Sequence, residues 1–378
     1  MNLSVDKRTE YLKSLTLVFL LTGVALSFKL WLSNRYFPLV PVFSFIPFIA
    51  APFDSLLLFV FIISSLLKLF LPQLKISKWL FWVSISLLIV TDINRIQPWV
   101  YLYILIIGIS DLFTNNTDRI RLIKFLLSSV YFYSGWHKLN PEYFNSVIDW
   151  FIQPFYTEKN VFYSILYFTG SIVPIIEMAC ALALLSGRFI KMALCLATFI
   201  HLLILISTGP LGHSYNSVIW PWNIFMPIAL YLAFYTTESE NLFNYLKLNF
   251  KVNTYKTALV LFLLITPFLN SFNLFPSYMS WNLFSGNTEN AKFYLGEKVN
   301  DYFSPAFDEI IKDCYNAPYT INPKKWALKE LNVPPFPEKL VWYNCHSYLL
   351  YFTGNPNEVI LNIQPKTSIL GEKESITY

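Results

Sequence analysis

Along most of the chain the apolar residues come in long unbroken runs, separated by short stretches that hold most of the charge. An α-helix rises about 1.5 Å per residue, so about 20 apolar residues cross the hydrocarbon core of a bilayer. Nine runs reach or approach that length: residues 12–33, 53–72, 78–93, 98–113, 120–137, 161–185, 189–208, 217–236 and 256–274. They are continuously apolar rather than alternating, so the pattern predicts spanning helices and not a barrel. The third and fourth runs are short and are split at Thr91-Asp92-Ile93-Asn94-Arg95-Ile96-Gln97-Pro98, where Pro98 suits the first turn of a new helix. Residues 37–53, interrupted by Pro38, Pro41, Pro47 and Pro52, read as a broken re-entrant or interfacial segment.

From about Phe275 the pattern changes to mixed charge, proline and aromatic residues. Leu349-Leu350-Tyr351-Phe352 and Val359-Ile360-Leu361-Asn362-Ile363 read as strands, and Pro334-Pro335-Phe336-Pro337 as a connector. The expected organisation is therefore an all-α polytopic membrane domain over residues 1–274, with nine transmembrane helices, followed by a small α+β extramembrane region over 275–378. Basic loop residues set the orientation. With the N-terminus in the cytoplasm, Lys7, Arg8, Lys13, Lys75, Lys78, Arg119, Arg121, Lys124, Arg188, Lys191, Lys247, Lys251 and Lys256 gather inside. Only Arg35, Arg95, Lys138 and Lys159 fall on the other side. An odd number of spans then puts the C-terminal region outside, in a periplasm or lumen; in a bacterium the membrane would be the cytoplasmic one. The first run is too long for a cleaved signal peptide and reads as a retained helix.

Composition narrows the picture further. The 378 residues are 55% hydrophobic and 13% charged, where soluble domains run at about 45–50% and about 25%. That excludes an ordinary soluble enzyme, a disordered chain and a disulfide framework. The net charge of +5 lies in short loops, where it reports topology and not affinity for nucleic acid. Cys180 and Cys195 fall in apolar runs and read as buried thiols, whereas Cys314 and Cys345 could pair only in an oxidising compartment. No phosphate-cradling loop is present, which argues against an ATP-driven pump.

Ionisable residues within or beside spans are costly and therefore informative. Asp92, Asn94, Arg95 and Gln97 either line an outward-facing pocket, with Arg95 as a fixed cation, or form an Asp92–Arg95 pair that pins a helical hairpin. Tyr131-Phe132-Tyr133-Ser134-Gly135-Trp136-His137-Lys138-Leu139-Asn140-Pro141 closes the fifth run on the same side. There Lys138 is a desolvated base or a snorkelling lysine, with Tyr133 and Trp136 as interfacial residues. Glu177 falls toward the inner leaflet, apart from the other groups, and reads as a protonated carboxyl bonded to a neighbouring helix. His201 lies about seven residues, roughly 10 Å, from the outward end of the seventh helix, followed by His213 in the next loop. Arg95, His137, Lys138, His201 and His213 are thus expected at one level, able to exchange protons with an amphipathic ligand. The histidine spacing argues against a metal site.

These segments resemble the transmembrane (HTTM) domain of the vitamin K-dependent γ-glutamyl carboxylase family. Tyr131 to Asn140 is similar to that family's aromatic–Gly–x–Lys–Lys–Leu–Asp segment, with Lys138 on the lysine regarded as the base toward vitamin K hydroquinone and His137 replacing the neighbouring lysine. Glu177 through Ser186-Gly187-Arg188 to His201 resembles the family's helix, basic turn and histidine-bearing helix, and Trp220-Pro221-Trp222-Asn223 its aromatic entry to the next span. The chain departs from the family where an earlier helix should carry an Asn–His pair, since the four histidines stand at 137, 201, 213 and 346 and Asp92, Asn94 and Arg95 occupy the comparable region. Its C-terminal region is also far smaller than the carboxylase's lumenal portion. Quinol binding therefore carries over better than glutamate carboxylation, and the shorter quinone-linked DoxX-type proteins are a neighbouring possibility.

The resemblance implies a protein that binds a quinone or vitamin K-like hydroquinone near the outer leaflet and uses it in a redox-coupled or carboxylation-type (lyase) reaction. Lys138 would be the base, His201 and Arg95 would stabilise the oxyanion, Tyr133 and Trp136 would pack on the ring, and Asn94, His137 and His213 would line the site. Expected partners are membrane lipids, the lipid-soluble quinone and a protein bound through the C-terminal region, with no nucleic acid. The alternatives are a lipid or small-molecule transporter, against which no repeated pair of broken helices is evident, and a non-catalytic membrane scaffold.

Overall fold

The computed structural model describes residues 3–47, 49–235, 240–244, 254–297, 303–317, 319–353, 355–369, 371 and 374–378. Lys247 and Lys251 of the inner basic set, and the last residue of the 217–236 run, lie outside the described residues. A helix forms at every apolar run: α1 Val5–Leu26, α2 Phe53–Phe70, α3 Lys75–Thr91, α4 Pro98–Leu112, α5 Asn116–His137, α7 Val161–Ser186, α8 Ile190–Thr208, α9 Ile219–Phe234 and α10 Thr254–Leu269, with the short α6 Ile148–Ile152 between α5 and α7. Local chemistry sets several ends. Pro98 opens α4, Asn115 caps α5 by accepting from the Thr117 and Asp118 amides, Asn160 caps α7 in the same way, and Gly187 ends α7 at φ 71°.

Helix formation at nine places does not make nine spans. Among the described residues, five helical segments are long and apolar enough to cross a membrane: Val5–Leu26, Phe53–Phe70, Val161–Ser186, Ile190–Thr208 and Tyr255–Phe272. The chain thus has the helices of an integral membrane protein, but the expected nine spans are not supported. The 17, 15 and 16 residues of α3, α4 and α9 reach only about 23–26 Å against a core of about 30 Å. α5 has the length, 22 residues, but Asp118, Arg119, Arg121, Lys124 and its polar C-terminal turns make it too polar to qualify.

Packing gathers the chain into two compact units, one of residues 1–20 and 101–287, the other of residues 21–100 and 288–378. In the first, α5 packs most extensively on α7, and α7, α8 and α9 follow one another as neighbours. In the second, α2 and α3 form a hairpin, and the C-terminal region adds α11 Pro305–Ile311, α12 Pro323–Leu331 and α13 Lys339–Thr353. Its antiparallel sheet runs β2-β3-β1-β4-β5, built from β1 Asn290–Leu295, β2 Tyr315–Ala317, β3 Thr320–Ile321, β4 Val359–Gln364 and β5 Ile376–Thr377. The central pair registers Phe293 against Leu361, and both are buried with Ala291 and Ile363 on one face.

The α+β character of this region and the strand at 359–363 agree with the sequence pattern. The strand expected at Leu349–Phe352 is instead the last turns of α13. Val341, Trp342, Cys345 and Leu349 are its buried residues, a helical stripe that fixes the type of the short apolar run. Cys314 and Cys345 are buried free thiols, as is Cys180, but Cys195 is exposed on α8 rather than buried.

Candidate functional site

In the first unit, Tyr131, Ser134, Gly135 and Lys138 lie at i, i+3, i+4 and i+7, which puts them on one face of α5. That face meets α7. Gly135 permits the approach, because a Cβ there would stand 2.4 Å from the Pro174 carbonyl oxygen and 2.9 Å from Met178. Pro174 has no amide proton for the helical bond to the Gly170 carbonyl, and the Tyr143 hydroxyl donates to that carbonyl at 2.9 Å instead.

At the centre Lys138 Nζ donates to Glu177 Oε2 at 2.7 Å and Oε1 at 3.0 Å, and to Ser134 Oγ at 2.6 Å. Both charged residues are about 5% exposed. This corrects the expectation that Glu177 stands apart from the other groups. α5 ends at His137, and the Lys138 that follows reaches the 17th residue of a 26-residue α7. The sixteen α7 residues before Glu177 run on for about 24 Å beyond that level. The chain between the helices folds back along them: Tyr167 donates to the Phe144 carbonyl and Tyr163 to Asp149. Lys138 therefore lies deep against α7 and not at the edge of the bundle.

Beside the ion pair runs a second polar chain. His201 Nδ1 lies 2.7 Å from Asn223 Oδ1, and Asn223 Nδ2 donates to the Ile219 carbonyl. The Asn223 oxygen is therefore the acceptor, His201 carries its proton on Nδ1, and Nε2 accepts from the Tyr131 hydroxyl at 2.5 Å. With this tautomer His201 has no N–H to offer an oxyanion and acts by orienting Tyr131.

The remaining expected site residues are placed elsewhere. The Tyr133 hydroxyl donates to the Leu264 carbonyl, and Trp136 Nε1 to Ser271 Oγ at 3.0 Å. Both therefore serve contacts with the chain from α10 onward. The His137 ring stacks on Tyr133, centroids 6.1 Å apart. His213 stacks on Trp150 at 4.4 Å and hydrogen-bonds the Trp150 carbonyl.

Arg95 and Asn94 belong to the second unit and are fully engaged there. Arg95 donates to the Leu30, Trp31 and Leu88 carbonyls and to Thr91 Oγ1. Its Nε is 3.9 Å from Asp92, whose main ionic partner is Arg35. Asn94 accepts from the Phe336 amide at 3.0 Å, and Gln97 donates to the Pro334 carbonyl at 2.9 Å. The polar junction thus seats the C-terminal region within this unit, with Asn94 and Gln97 holding residues 334–336 and Arg95 holding backbone carbonyls and Thr91.

The residues that sequence reasoning left out of the centre are Glu177, Ser134, Tyr131 and Asn223. The three-and-seven spacing of Tyr131, Ser134 and Lys138 was the available signal, and nothing in the linear pattern gave the level at which α7 meets it. Among the described residues no group of His, Cys, Asp and Glu is arranged to hold a metal ion. Comparison of the chain with protein-family models, with curated proteins and with solved structures finds no match.

Proposed function

We propose that this membrane protein binds a quinone, or a similar lipid-like aromatic with an ionisable hydroxyl, and moves a proton at the Lys138–Glu177 pair. The observation that carries the reading is the enclosure of this ion pair beside the ordered chain Tyr131–His201–Asn223, on the segment that resembles the carboxylase family's quinol base. With the proton on Glu177, the Lys138 amine is a base that can take the proton of a phenolic hydroxyl, leaving a phenolate held against an ammonium. Tyr131, fixed by His201, would order the neighbouring polar surface. Whether a redox-coupled or carboxylation-type step follows depends on a second substrate. In this reading the N-terminus is cytoplasmic and the C-terminal region lies outside.

A second reading is a non-catalytic scaffold. It is favoured by the saturation of Lys138, whose three N–H bonds face three side-chain acceptors of its own protein, and by the engagement of Arg95 with backbone carbonyls. Mass spectrometry of the quinones and lipids that co-purify with wild type and with Lys138→Met/Glu177→Gln separates the two. Proton transfer at the pair predicts a quinone enriched over bulk membrane in the wild type, and lost or altered in redox state in the variant. Equal recovery from both proteins, or enrichment in neither, would leave the scaffold.

A further inference from the structure

Residues 40–42 are held against the end of α3. The Val42 amide donates to the Val90 carbonyl at 2.9 Å and the Ile93 amide to the Val40 carbonyl at 2.7 Å, while Asp92 accepts from the Val40 amide at 3.2 Å. From this base the chain runs out onto the surface. Phe43 is 52% and Phe45 78% exposed, and their rings stack with centroids 5.4 Å apart, so they pack on each other rather than into the unit. Pro47, Ala50, Ala51 and Pro52 are exposed as well. The run continues into α2, where Phe53 and then Leu56, Phe59, Ile63 and Phe70 are exposed along the helix. Between Arg35 and Asp54 the chain has no charged residue. The charges at its two ends are turned inward: Arg35 donates to the Leu30 and Phe37 carbonyls, and Asp54 accepts from the Ser33 amide.

An exposed apolar patch of this kind marks an interaction surface, and what lies beside it selects the partner. α2 is long and apolar enough to cross a membrane, and the patch leads into its exposed stripe with no intervening charge. Backbone chemistry agrees. Pro38, Pro41, Pro47 and Pro52 carry no N–H, and the amides of Val40, Val42, Ile46 and Phe53 are bonded within the unit, which lowers the cost of placing this backbone against hydrocarbon.

We propose that residues 42–53 form a membrane-inserted wedge whose partner is phospholipid, with Phe43, Phe45 and Phe53 among the acyl chains just below the headgroups. The 18 and 17 residues of α2 and α3 reach about 25–27 Å against a core of about 30 Å, and apolar surface added at this end reduces the mismatch. The segment is then interfacial and not re-entrant, since its tie to Val90 holds it at the last turn of α3.

The test is the depth of a nitroxide on the full chain in phospholipid nanodiscs. Single cysteines replace Phe45, Phe59 and Tyr351 in turn in a Cys195→Ala background, the other cysteines being buried. Collisions with oxygen, which concentrates in the bilayer, are compared with collisions with a water-soluble nickel chelate. Phe59→Cys should report lipid and Tyr351→Cys water. At Phe45→Cys oxygen should dominate, with a depth nearer that of Phe59→Cys, and Phe43→Cys should repeat this at a second exposed position. Nickel dominance at Phe43→Cys and Phe45→Cys would place the segment in water and overturn the proposal. Low accessibility to both reagents would overturn it too, since a second copy or another protein would then cover the patch. Nickel dominance at Phe59→Cys as well would mean that α2 itself stays out of the membrane, and the wedge would fall with its span.

Discussion

The Lys138 ammonium and the Glu177 carboxylate have few partners beyond each other and Ser134, so removing either leaves a buried charge. Lys138→Met alone should therefore destabilise the protein by about 3–5 kcal/mol, whereas Lys138→Met/Glu177→Gln should come close to wild type. Thermal unfolding of the two single variants and the double variant in detergent measures the coupling, and additive effects would show that the pair is not closed. Glu289 is a contrasting case in the C-terminal region. It is 8% exposed, with one carboxylate oxygen lacking a hydrogen-bond partner among the described residues. Burial, and then the nearness of Glu338, pushes its carboxyl up from 4.5 to about 7, against the opposing influence of Lys339, Trp342 and Lys366. A carboxyl raised on folding holds its proton longer in the native state, so its contribution to stability is complete below pH 4.5 and is lost as the pH rises through 7. Unfolding midpoints measured from pH 5 to 8.5 should fall for wild type and show less of this slope for Glu289→Gln. Parallel curves would exclude Glu289 as the titrating group.

Among the elements, α12 shows how the C-terminal region is attached within its unit. Its Glu330, 7% exposed, accepts from the backbone amides of Tyr36 at 2.6 Å and Phe37 at 2.7 Å, and from Trp326 Nε1 at 3.1 Å. Asn332, just past the helix, donates to the Leu26 carbonyl at the end of α1. Glu330→Gln keeps the shape but turns an NH2 toward a backbone donor, and should cost about 1–3 kcal/mol. Hydrogen exchange should then quicken in residues 33–40 and 323–337 ahead of the rest, and uniform protection would rule out this clasp. Such contacts explain where sequence reasoning stopped. Pro98 marked the start of α4 because proline acts locally, through its fixed φ and missing N–H. Asp92 to Gln97 were visible as a polar group, but their partners are Arg35, Val40, Pro334 and Phe336, far away in sequence. Polarity was legible there, while the distant partners it serves were not. The same holds for Glu177: its presence in an apolar run was plain, and its level relative to Lys138 depended on how Gly135 lets α5 lie against Pro174.

At the scale of the molecule, positions of helices were read more securely than their passage through a membrane, because hydropathy locates a segment and only length and polarity together decide a span. Sidedness within the second unit follows from its own connections once it is known whether the α2–α3 hairpin crosses. α1 ends at Leu26, α2 begins at Phe53 beside the Ser33 amide that donates to Asp54, and α3 ends at Thr91, next to the junction that holds the C-terminal region. The turn between α2 and α3, residues 71–74, lies at the far end of a hairpin of 18 and 17 residues, about 25 Å away along the helices. If α2 and α3 both cross the bilayer, the C-terminal region must share a side with Asn34 and be opposite Gln73. Asn34, Gln73 and Tyr351 are all exposed, so a single cysteine can be placed at each in a Cys195→Ala background and treated with a membrane-impermeant maleimide. Tyr351→Cys and Asn34→Cys should react from one side of sealed vesicles, and Gln73→Cys only after permeabilisation or from the other. Labelling of all three from one side would mean that the α2–α3 hairpin does not cross, since helices that end short of the far interface return their turn to the side from which they entered.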